Sequence, residues 1–246
     1  MTNKNIQSQE FYITAPQSCP YLTGKLERKI FTEISDTKDI EDLSTYLTQN
    51  GFRRSQKIFY RPQCDACKAC VSVRIVVNDF QPNSSFKRII KKNLDLFSTI
   101  VSARTTQQQY NLFQTYLHER HTKSEMNDMS AKEYKLMVEE NYSKTCLIEY
   151  RKPQINDTSH NELVAVALTD IIQDGLSMVY SFFSPKETQR SLGSYMILDH
   201  IKKAHEMGLP YVYLGFWVKQ SKKMNYKARF MPQEHFIKNE WQYCSE

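Results

Sequence analysis

Three cysteines at regular spacing, Cys64, Cys67 and Cys70, are the residues of this chain whose pattern first suggests chemistry. Thiolates three residues apart can surround one soft metal ion on a turn, and zinc or an iron–sulfur centre takes four such ligands. Cys19 is the other cysteine of the first half of the chain, so we expect a metal site made of Cys19 and these three. The alternative is that they are small buried side chains on a tight turn.

A short turn, Arg190-Ser-Leu-Gly193-Ser, follows a strand-like segment and precedes a helical one. The free N–H groups of a helix N-terminus bind anions, so this turn could hold one, although a simple helix cap would have the same sequence. Four of the six glycines lie between residues 170 and 216, namely Gly175, Gly193, Gly208 and Gly215. This crowding of glycines places the expected site in the second half of the chain.

The segment from Lys219 to Lys238 holds six Lys or Arg residues against one acidic residue, so it carries +5 of the net charge of +6. Tyr226, Phe230 and Phe236 lie between the basic residues. Phosphate neutralisation combined with ring stacking is typical of proteins that bind the end of a single-stranded RNA. A solvated basic tail packed by its aromatic residues is the alternative.

Composition limits the class of protein to a mildly basic globular one. The chain has 246 residues with 40% hydrophobic residues, its mean hydropathy is −0.60, and this length fits one large or two modest domains. Its longest apolar runs are far shorter than the ~18 residues of a membrane span. The N-terminal residues lack the apolar core of a secretory signal, so we expect a cytoplasmic protein whose cysteines do not form disulfides.

Periodicity predicts the elements that would position these residues. Helices are expected at 39–49, 86–93, 107–121, 130–141 and 194–207, and strands at 57–60, 71–77, 145–150, 163–172, 176–183 and 211–215. The pair Asn50-Gly51 is expected to stop the first helix, a capping box of Ser130 and Glu133 to open the fourth, and Gln173-Asp174-Gly175 to form a hairpin turn. The cysteine cluster then lies on the turn between the first two strands. Asp170, at the end of a predicted strand, is a candidate for moving protons, and Arg120-His121, at a helix end, could contact substrate.

Several motifs in order resemble the arginyl/leucyl-tRNA–protein transferase family, and most closely its bacterial aspartate/glutamate leucyltransferase branch. They are Cys19-Pro-Tyr-Leu22, Tyr60-Arg-Pro-x-Cys64-x-x-Cys67-x-x-Cys70-Val-x-Val-Arg74, Val179-Tyr-Ser-Phe-Phe-Ser-Pro185, Arg190-Ser-Leu-Gly193 and Tyr211-Val-Tyr-Leu-Gly-Phe-Trp217 through Lys223-Met-x-Tyr-Lys-Ala-Arg-Phe230. Leu22 stands where the arginyl enzymes have a cysteine, which weakens the transfer of any metal site from them.

The resemblance implies an α+β fold: a GNAT-like mixed sheet flanked by helices, preceded by a cysteine-bearing N-terminal region. It divides the chain into an N-terminal region at 10–80, a basic connecting segment at 81–99 and a catalytic domain at 100–240. It also implies transfer of leucine from leucyl-tRNA to the N-terminal Asp or Glu of proteins, which marks them for degradation by the N-end rule pathway. Arginine as the donated amino acid is the alternative, followed by an acetyl-CoA-dependent enzyme and a metal-dependent RNA-binding protein.

The reaction that the resemblance implies needs no cofactor besides the aminoacyl-tRNA co-substrate, because the ester is already activated and a protein α-amine has a pKa of about 7.7 to 8.0. The site residues expected on this basis fall into two groups. Asp170 and Tyr180 are the catalytic candidates, and the substrate-binding candidates are Arg74, Arg190, Gly193, Lys223, Tyr226, Lys227 and Arg229.

Overall fold

A computed structural model of the chain describes residues 9–34, 39–120, 129–140, 144–153 and 161–245. Its helices are α1 (Ile40–Gln49), α2 (Ser84–Lys92), α3 (Gln107–Arg120), α4 (Ala131–Glu139) and α5 (Leu192–Glu206). Its strands are β1 (Tyr12–Ile13), β2 (Gln17–Ser18), β3 (Leu26–Glu27), β4 (Lys29–Glu33), β5 (Arg53–Ser55), β6 (Ile58–Pro62), β7 (Cys70–Val76), β8 (Phe97–Ser102), β9 (Lys144–Lys152), β10 (Glu162–Ile172), β11 (Gly175–Phe183), β12 (Tyr211–Val218), β13 (Gln233–Ile237) and β14 (Glu240–Cys244).

The largest element of the fold is an eight-stranded sheet in the order β14-β13-β7-β12-β11-β10-β9-β8. Its neighbouring strands run antiparallel except for β11 and β12, which are parallel because α5 carries the chain back across the sheet between them. The hairpin between β10 and β11 turns at Gln173-Asp174-Gly175, as the sequence predicts. The α+β class and the helix-flanked mixed sheet expected from the sequence are therefore confirmed.

The parallel pair is short. β11 and β12 are in register at Gly175 with Tyr211, Leu176 with Val212 and Ser177 with Tyr213. Beyond these pairs β11 continues to Phe183 and β12 to Val218, and in the described part of the chain they do not pair with each other again. A splay of this kind leaves backbone groups on both facing edges without a strand partner.

Helices cover the sheet with apolar side chains of one face each. From α5, Ile197 and Ile201 pack on one part of the core with Phe86 of α2, while Phe113 of α3 and Tyr134 of α4 pack on another. The capping box predicted at Ser130 and Glu133 is present at the start of α4. None of the helices in the described ranges is long and apolar enough to cross a membrane.

A smaller sheet of four strands, in the order β1-β4-β6-β5, packs with α1 in the first part of the chain. Leu43 and Leu47 of α1 lie against Phe52 and Phe59 in this second core. The helix ends at Gly51, whose φ of +78° is left-handed and suits glycine, as the predicted stop at Asn50-Gly51 requires.

β7 lies inside the large sheet, between β12 and β13, although it belongs to the predicted N-terminal region at 10–80. Its Val73 and Ile75 are fully buried there. The division at 10–80, 81–99 and 100–240 stays a prediction. The strands β1 to β5, β8, β13 and β14 were not predicted from the sequence.

Candidate functional site

A cavity of about 660 Å³ opens where β11 and β12 separate, and we call it the splay cavity. The segments that line it come from both halves of the chain: β5, the end of α3, β11, the start of α5, and the short 3-10 helix Asn225–Arg229. Among its lining residues are Tyr21, Arg53, Tyr116, Arg120, Val179, Tyr180, Glu187, Ser191, Gly193, Leu214, Lys223, Tyr226 and Lys227.

Two cations occupy the two edges of the splay. On the β11 edge, Nη2 of Arg53 donates to the carbonyl of Val179 at 2.7 Å. On the β12 edge, Nζ of Lys227 donates to the carbonyls of Leu214 and Phe216 at 2.7 and 2.6 Å. These side chains replace the strand partners that the carbonyls lose when the parallel pair ends.

Lys227 is buried, with 5% of its surface exposed. Removal of its ammonium from water holds the pKa of Lys227 well below its ordinary value, and the positive charge of Arg53 lowers it further. A neutral amine can still donate two hydrogen bonds to the two carbonyls, and its lone pair then remains able to accept a proton. Lys227 is therefore a buried lysine of the cavity wall whose pKa lies below its ordinary value.

The first turn of α5 forms another wall of the splay cavity. Ser191 precedes it with a left-handed φ of 54°, a strained conformation for a residue other than glycine. A Cβ on Gly193 would lie 3.3 Å from Cε1 of Phe183, so the glycine allows this ring to pack against the helix start. The N–H groups of Leu192 and Gly193 have no partner within the helix and are available to a negative charge, whereas those of Ser194 and Tyr195 donate to the Ser191 carbonyl.

Positive charge dominates the splay cavity. Its basic lining residues are Arg53, Arg120, Lys223 and Lys227, and Glu187 is its one acidic lining residue within the described ranges. Glu187 is already neutralised by a contact with Lys152 and by Arg190 at 2.8 Å. The cavity therefore favours an anionic ligand.

Five of the catalytic and substrate-binding candidates line this cavity: Tyr180, Gly193, Lys223, Tyr226 and Lys227. Burial raises the pKa of Tyr180, so at neutral pH its hydroxyl is protonated and can donate a hydrogen bond but cannot act as a base. Lys223 and Tyr226 are exposed at the opening, where a large ligand can reach them.

Asp170, the other catalytic candidate, does not line the splay cavity. Its carboxylate is 3% exposed, and it accepts hydrogen bonds from Nε and Nη2 of Arg54 at 2.5 and 2.7 Å and from the hydroxyl of Thr145 at 2.6 Å. This buried ion pair connects the small sheet to β10. Because the carboxylate is fully engaged, we reassign Asp170 from proton transfer to structure.

Arg74 and Arg190 also lie outside the lining of the splay cavity, and both are occupied. Nε of Arg74 donates to Glu234 at 2.6 Å, and its guanidinium lies between the rings of Tyr211 and Trp241, 3.5 and 4.2 Å from their centroids. Arg190 donates to both carboxylate oxygens of Asp95 at 2.7 and 2.8 Å. Both guanidinium groups are bonded to partners within the protein, so the structure does not present them to a substrate.

The basic segment 219–238 does not form one RNA-binding face. Phe230 is fully buried and stacks on Phe86 with ring centroids 4.7 Å apart, while Arg229 lies over the same Phe86 ring. Phe236 packs on Trp241. Of the three aromatic residues of the segment, Tyr226 lines the splay cavity.

A second cavity, of about 560 Å³, is lined by Cys19, Cys64, Cys67 and Cys70, and we call it the cysteine cavity. Burial raises the pKa of the Cys70 thiol to about 12, and the other three cysteines add to this effect. The thiols are near one another, yet within the described residues no three His, Cys, Asp or Glu side chains are placed to hold one metal ion. The expected zinc or iron–sulfur centre does not fit this arrangement.

Arg53 and Tyr21 line the splay cavity and were not selected from the sequence. Arg53 is followed by Arg54, and side chains of adjacent strand residues point to opposite faces, so one of the pair had to face away from the buried Asp170 contact. That alternation is the signal that could have identified Arg53. Arg120, a possible substrate contact from the sequence, also lines the cavity, whereas His121 falls outside the described residues.

The described strands form a mixed sheet whose one parallel pair separates beside the start of a helix, and the GNAT-like character that the resemblance implies stays a prediction. Among solved structures, FemX has a low similarity to this chain, with 9% identity and a TM-score of 0.44 over 86% of this chain and 80% of that one. Another is L-PGS from Bacillus licheniformis, with 12% identity and a TM-score of 0.43 over 62% of this chain and 48% of that one.

Family models give the more specific assignment. The model described as "Arginine-tRNA-protein transferase, N terminus" matches residues 17–88, and the corresponding C-terminus model matches residues 108–237. The chain belongs to the arginine-tRNA-protein transferase family.

Individual relatives match over nearly the whole length. A protein of Allorhizobium ampelinum called aspartate/glutamate leucyltransferase is 52% identical over 98% of this chain and 96% of its own length. One of the same name from Azorhizobium caulinodans is 50% identical over the full length of both chains.

Proposed function

We propose that this protein transfers leucine from leucyl-tRNA to the α-amine of proteins whose N-terminal residue is Asp or Glu. The observation that carries the proposal is the identity of 50% or more, over almost the entire chain, to proteins named for this reaction. The electropositive splay cavity supports it, because both the RNA and the acidic acceptor are anionic. Charged tRNA is a cytoplasmic substrate, so the proposal places the protein there, where the product is marked for degradation.

The chemistry requires attack of the acceptor amine on the carbonyl carbon of the leucyl ester. A C–N bond forms as the C–O bond to the tRNA ribose breaks, the amine loses a proton, and the ribose hydroxyl gains one. The ester is already activated, so the enzyme contributes mainly by holding the two substrates together, by accepting the proton and by stabilising the oxyanion. No cofactor enters this balance.

Lys227 is the residue we assign to accept the amine proton. Its amine is neutral more readily than that of an exposed lysine, because burial and Arg53 disfavour the charged form. Its two carbonyl partners then stabilise the ammonium once the proton has been accepted. This role replaces the phosphate contact expected for Lys227 from the sequence.

The first turn of α5 is the proposed oxyanion site. N–H groups beside Gly193 face a wall of the splay cavity, and a helix N-terminus stabilises a developing negative charge. Tyr180, protonated at neutral pH, is a second donor for the same oxygen. In this arrangement both predicted residues keep a part in the reaction, Tyr180 as a donor and Gly193 through its backbone.

The cavity opening is where we place the 3′ end of the tRNA. Lys223 and Arg120 are exposed there and can neutralise phosphate, and the ring of Tyr226 offers a surface on which a base can stack. Contacts to phosphate would make binding of the tRNA weaken as salt concentration rises. Arg229, which contacts Phe86 and Ser85, is not part of this set.

Transfer of labelled leucine tests the proposal. Purified protein is incubated with leucyl-tRNA and peptides that begin with Asp, Glu or Ala, and with the Asp peptide acetylated at its α-amine. We expect labelling of the Asp and Glu peptides alone. Labelling of the acetylated peptide, or of none, contradicts the proposal.

Two further reactions separate the alternatives. Arginyl-tRNA in place of leucyl-tRNA should give no product, and transfer of arginine alone would keep the family but change the donor. Acetyl-CoA should neither bind nor acetylate the same peptides, because the turn at Arg190-x-x-Gly193 has a single glycine.

A further inference from the structure

In the described residues Arg53 is one of two buried or half-buried arginines without an acidic partner, and the other, Arg61, lines the cysteine cavity and not the splay cavity. Arg54 binds Asp170, Arg74 binds Glu234 and Arg190 binds Asp95, each at 2.8 Å or less. For Arg53 no carboxylate of the described residues lies within ion-pair distance, and its hydrogen bond in this part of the chain is the one from Nη2 to the Val179 carbonyl.

Arg53 lines the splay cavity and retains donors besides the one bonded to the Val179 carbonyl. A guanidinium has five N–H groups in a planar fork, and one bond to a carbonyl leaves the geometry for a bidentate carboxylate open. Arg53 is half-buried, so a carboxylate bound there is partly removed from water and interacts more strongly than at the surface.

The backbone makes room for this side chain. Gly215 of β12 has a left-handed φ of +71°, and a Cβ there would come within 3.2 Å of Cδ of Arg53. The glycine thus permits the arginine stem to cross the splay from β5 and reach β11. The anchor at Val179 fixes the guanidinium at this position.

Lys227 lies on the opposite edge of the same splay, and the two cations are close enough that Arg53 lowers the pKa of Lys227. A carboxylate bound by Arg53 would therefore place the α-amine of the same residue on the side of the cavity that holds the proton acceptor. Asp and Glu carry the amine and the carboxylate within a few bonds, which matches this pair of groups.

We propose that Arg53 is the specificity determinant of the acceptor site and binds the side-chain carboxylate of the acceptor's N-terminal Asp or Glu. The inference rests on the proposed function and adds to it the residue that distinguishes an acidic acceptor from its amide. An Asn or Gln at the acceptor N-terminus is nearly isosteric but uncharged, so it loses the charge-assisted bidentate contact. Arg53 thereby distinguishes Asp from Asn, and Glu from Gln, by charge, because the two side chains of each pair have nearly the same shape.

Direct binding tests this assignment independently of catalysis. Fluorescence anisotropy compares two labelled peptides, identical except for Asp or Asn at the N-terminus, on the wild type and on Arg53→Gln. We expect the wild type to prefer the Asp peptide about 30-fold and Arg53→Gln to lose that preference by binding Asp more weakly, with its affinity for the Asn peptide unchanged. Arg53→Lys, which keeps the charge but has no fork, should recover part of the preference.

Arg104→Gln is the matched control, since it removes an arginine charge at a side chain that is 78% exposed and outside the splay cavity. Its preference should equal that of the wild type. An unchanged Asp preference in Arg53→Gln overturns the inference. So does weaker leucyl-tRNA binding with the Asp preference intact, which would make Arg53 a phosphate contact.

Failure of the proposed function is a separate result. If the wild type transfers no amino acid to any peptide, that function is lost. The binding comparison still decides whether Arg53 recognises an N-terminal carboxylate.

Discussion

The two cavities of this protein are similar in size, about 660 and 560 Å³, but differ in what their walls leave unsatisfied. The splay cavity has the free N–H groups of a helix start, a lysine with a lowered pKa and an arginine without an acidic partner within the described residues. The cysteine cavity has four thiols, and burial raises the pKa of one of them, Cys70, to about 12. The cavity that we propose to be the active site is therefore distinguished by its free polar groups and not by its volume.

One segment takes part in both. In the motif Cys19-Pro-Tyr-Leu22, Tyr21 lines the splay cavity while Cys19 and Leu22 line the cysteine cavity. The same four residues thus supply an aromatic wall to one site and packing to the other. One sequence motif of this chain therefore contributes residues to both cavities.

Among substitutions in the two cavities, those of Lys227 are expected to lower the transfer rate most. Lys227→Arg keeps donors for the two carbonyls but cannot accept a proton at neutral pH, so we expect kcat to fall about 100-fold with little change in the KM for leucyl-tRNA. Lys227→Met, which removes the amine at similar length, should be equally inactive. Single-turnover rates measure both, and wild-type rates in either variant would remove Lys227 from proton transfer.

The pH dependence of the transfer rate tests the same role of Lys227. Lys227 must be neutral to act, so wild-type single-turnover rates should rise with pH until the lysine and the acceptor α-amine have both lost their protons. Arg53 is one cause of the lowered pKa of Lys227, so Arg53→Gln should move the rising limb to higher pH. A limb that does not move, measured with saturating peptide, contradicts the coupling.

A smaller effect is expected at the start of α5. Gly193→Val places methyl groups against Phe183, where a Cβ alone would already lie 3.3 Å from the ring. Displacement of the first turn should lower kcat/KM about 10-fold, less than the outright loss of an oxyanion donor. Thermal unfolding serves as the control, because a fall in activity that follows the loss of folded protein would argue for packing alone.

The smallest effect is expected at the cysteine cavity. Cys64→Ser and Cys67→Ser should each leave transfer activity within about twofold of the wild type, as should the tail substitution Cys244→Ser. Elemental analysis of protein purified without a histidine tag should find less than one zinc or iron per chain. One bound metal per chain, lost in Cys64→Ser but retained in Cys244→Ser, would reverse our view of this cavity.

Local signals in the sequence were sufficient for the elements whose stability is mostly local. The capping box at Ser130 and Glu133 and the stop at Gly51 act within one turn of a helix, and the structure has both. β8 was missed because its residues are mostly exposed and lack a clear alternation. β13 falls in the segment whose charge was interpreted as RNA binding, and β14 follows that segment. β13 forms on the edge of β7, and β14 pairs with β13.

The site was predictable only where residues near in sequence are also near in space. Gly193, Lys223, Tyr226 and Lys227 lie in the glycine-rich and basic segments and reach the same cavity. Arg53 bonds a carbonyl 126 residues away, and no local pattern reports such a contact. Asp170 looked reactive at a strand end because its partner Arg54, 116 residues earlier, was not visible from the sequence.

The position of β7 between β12 and β13 determines when the protein can finish folding. Arg74 in β7 contacts Tyr213 and Glu234, residues 139 and 160 positions later in the chain. β7 is synthesised before β12 and β13. Until those strands have been synthesised, both edges of β7 lack their partner strands, and its two buried apolar residues, Val73 and Ile75, stay exposed. Contacts between such distant segments also form slowly. During synthesis the nascent chain is thus a substrate for chaperones and proteases before it can act on any other protein.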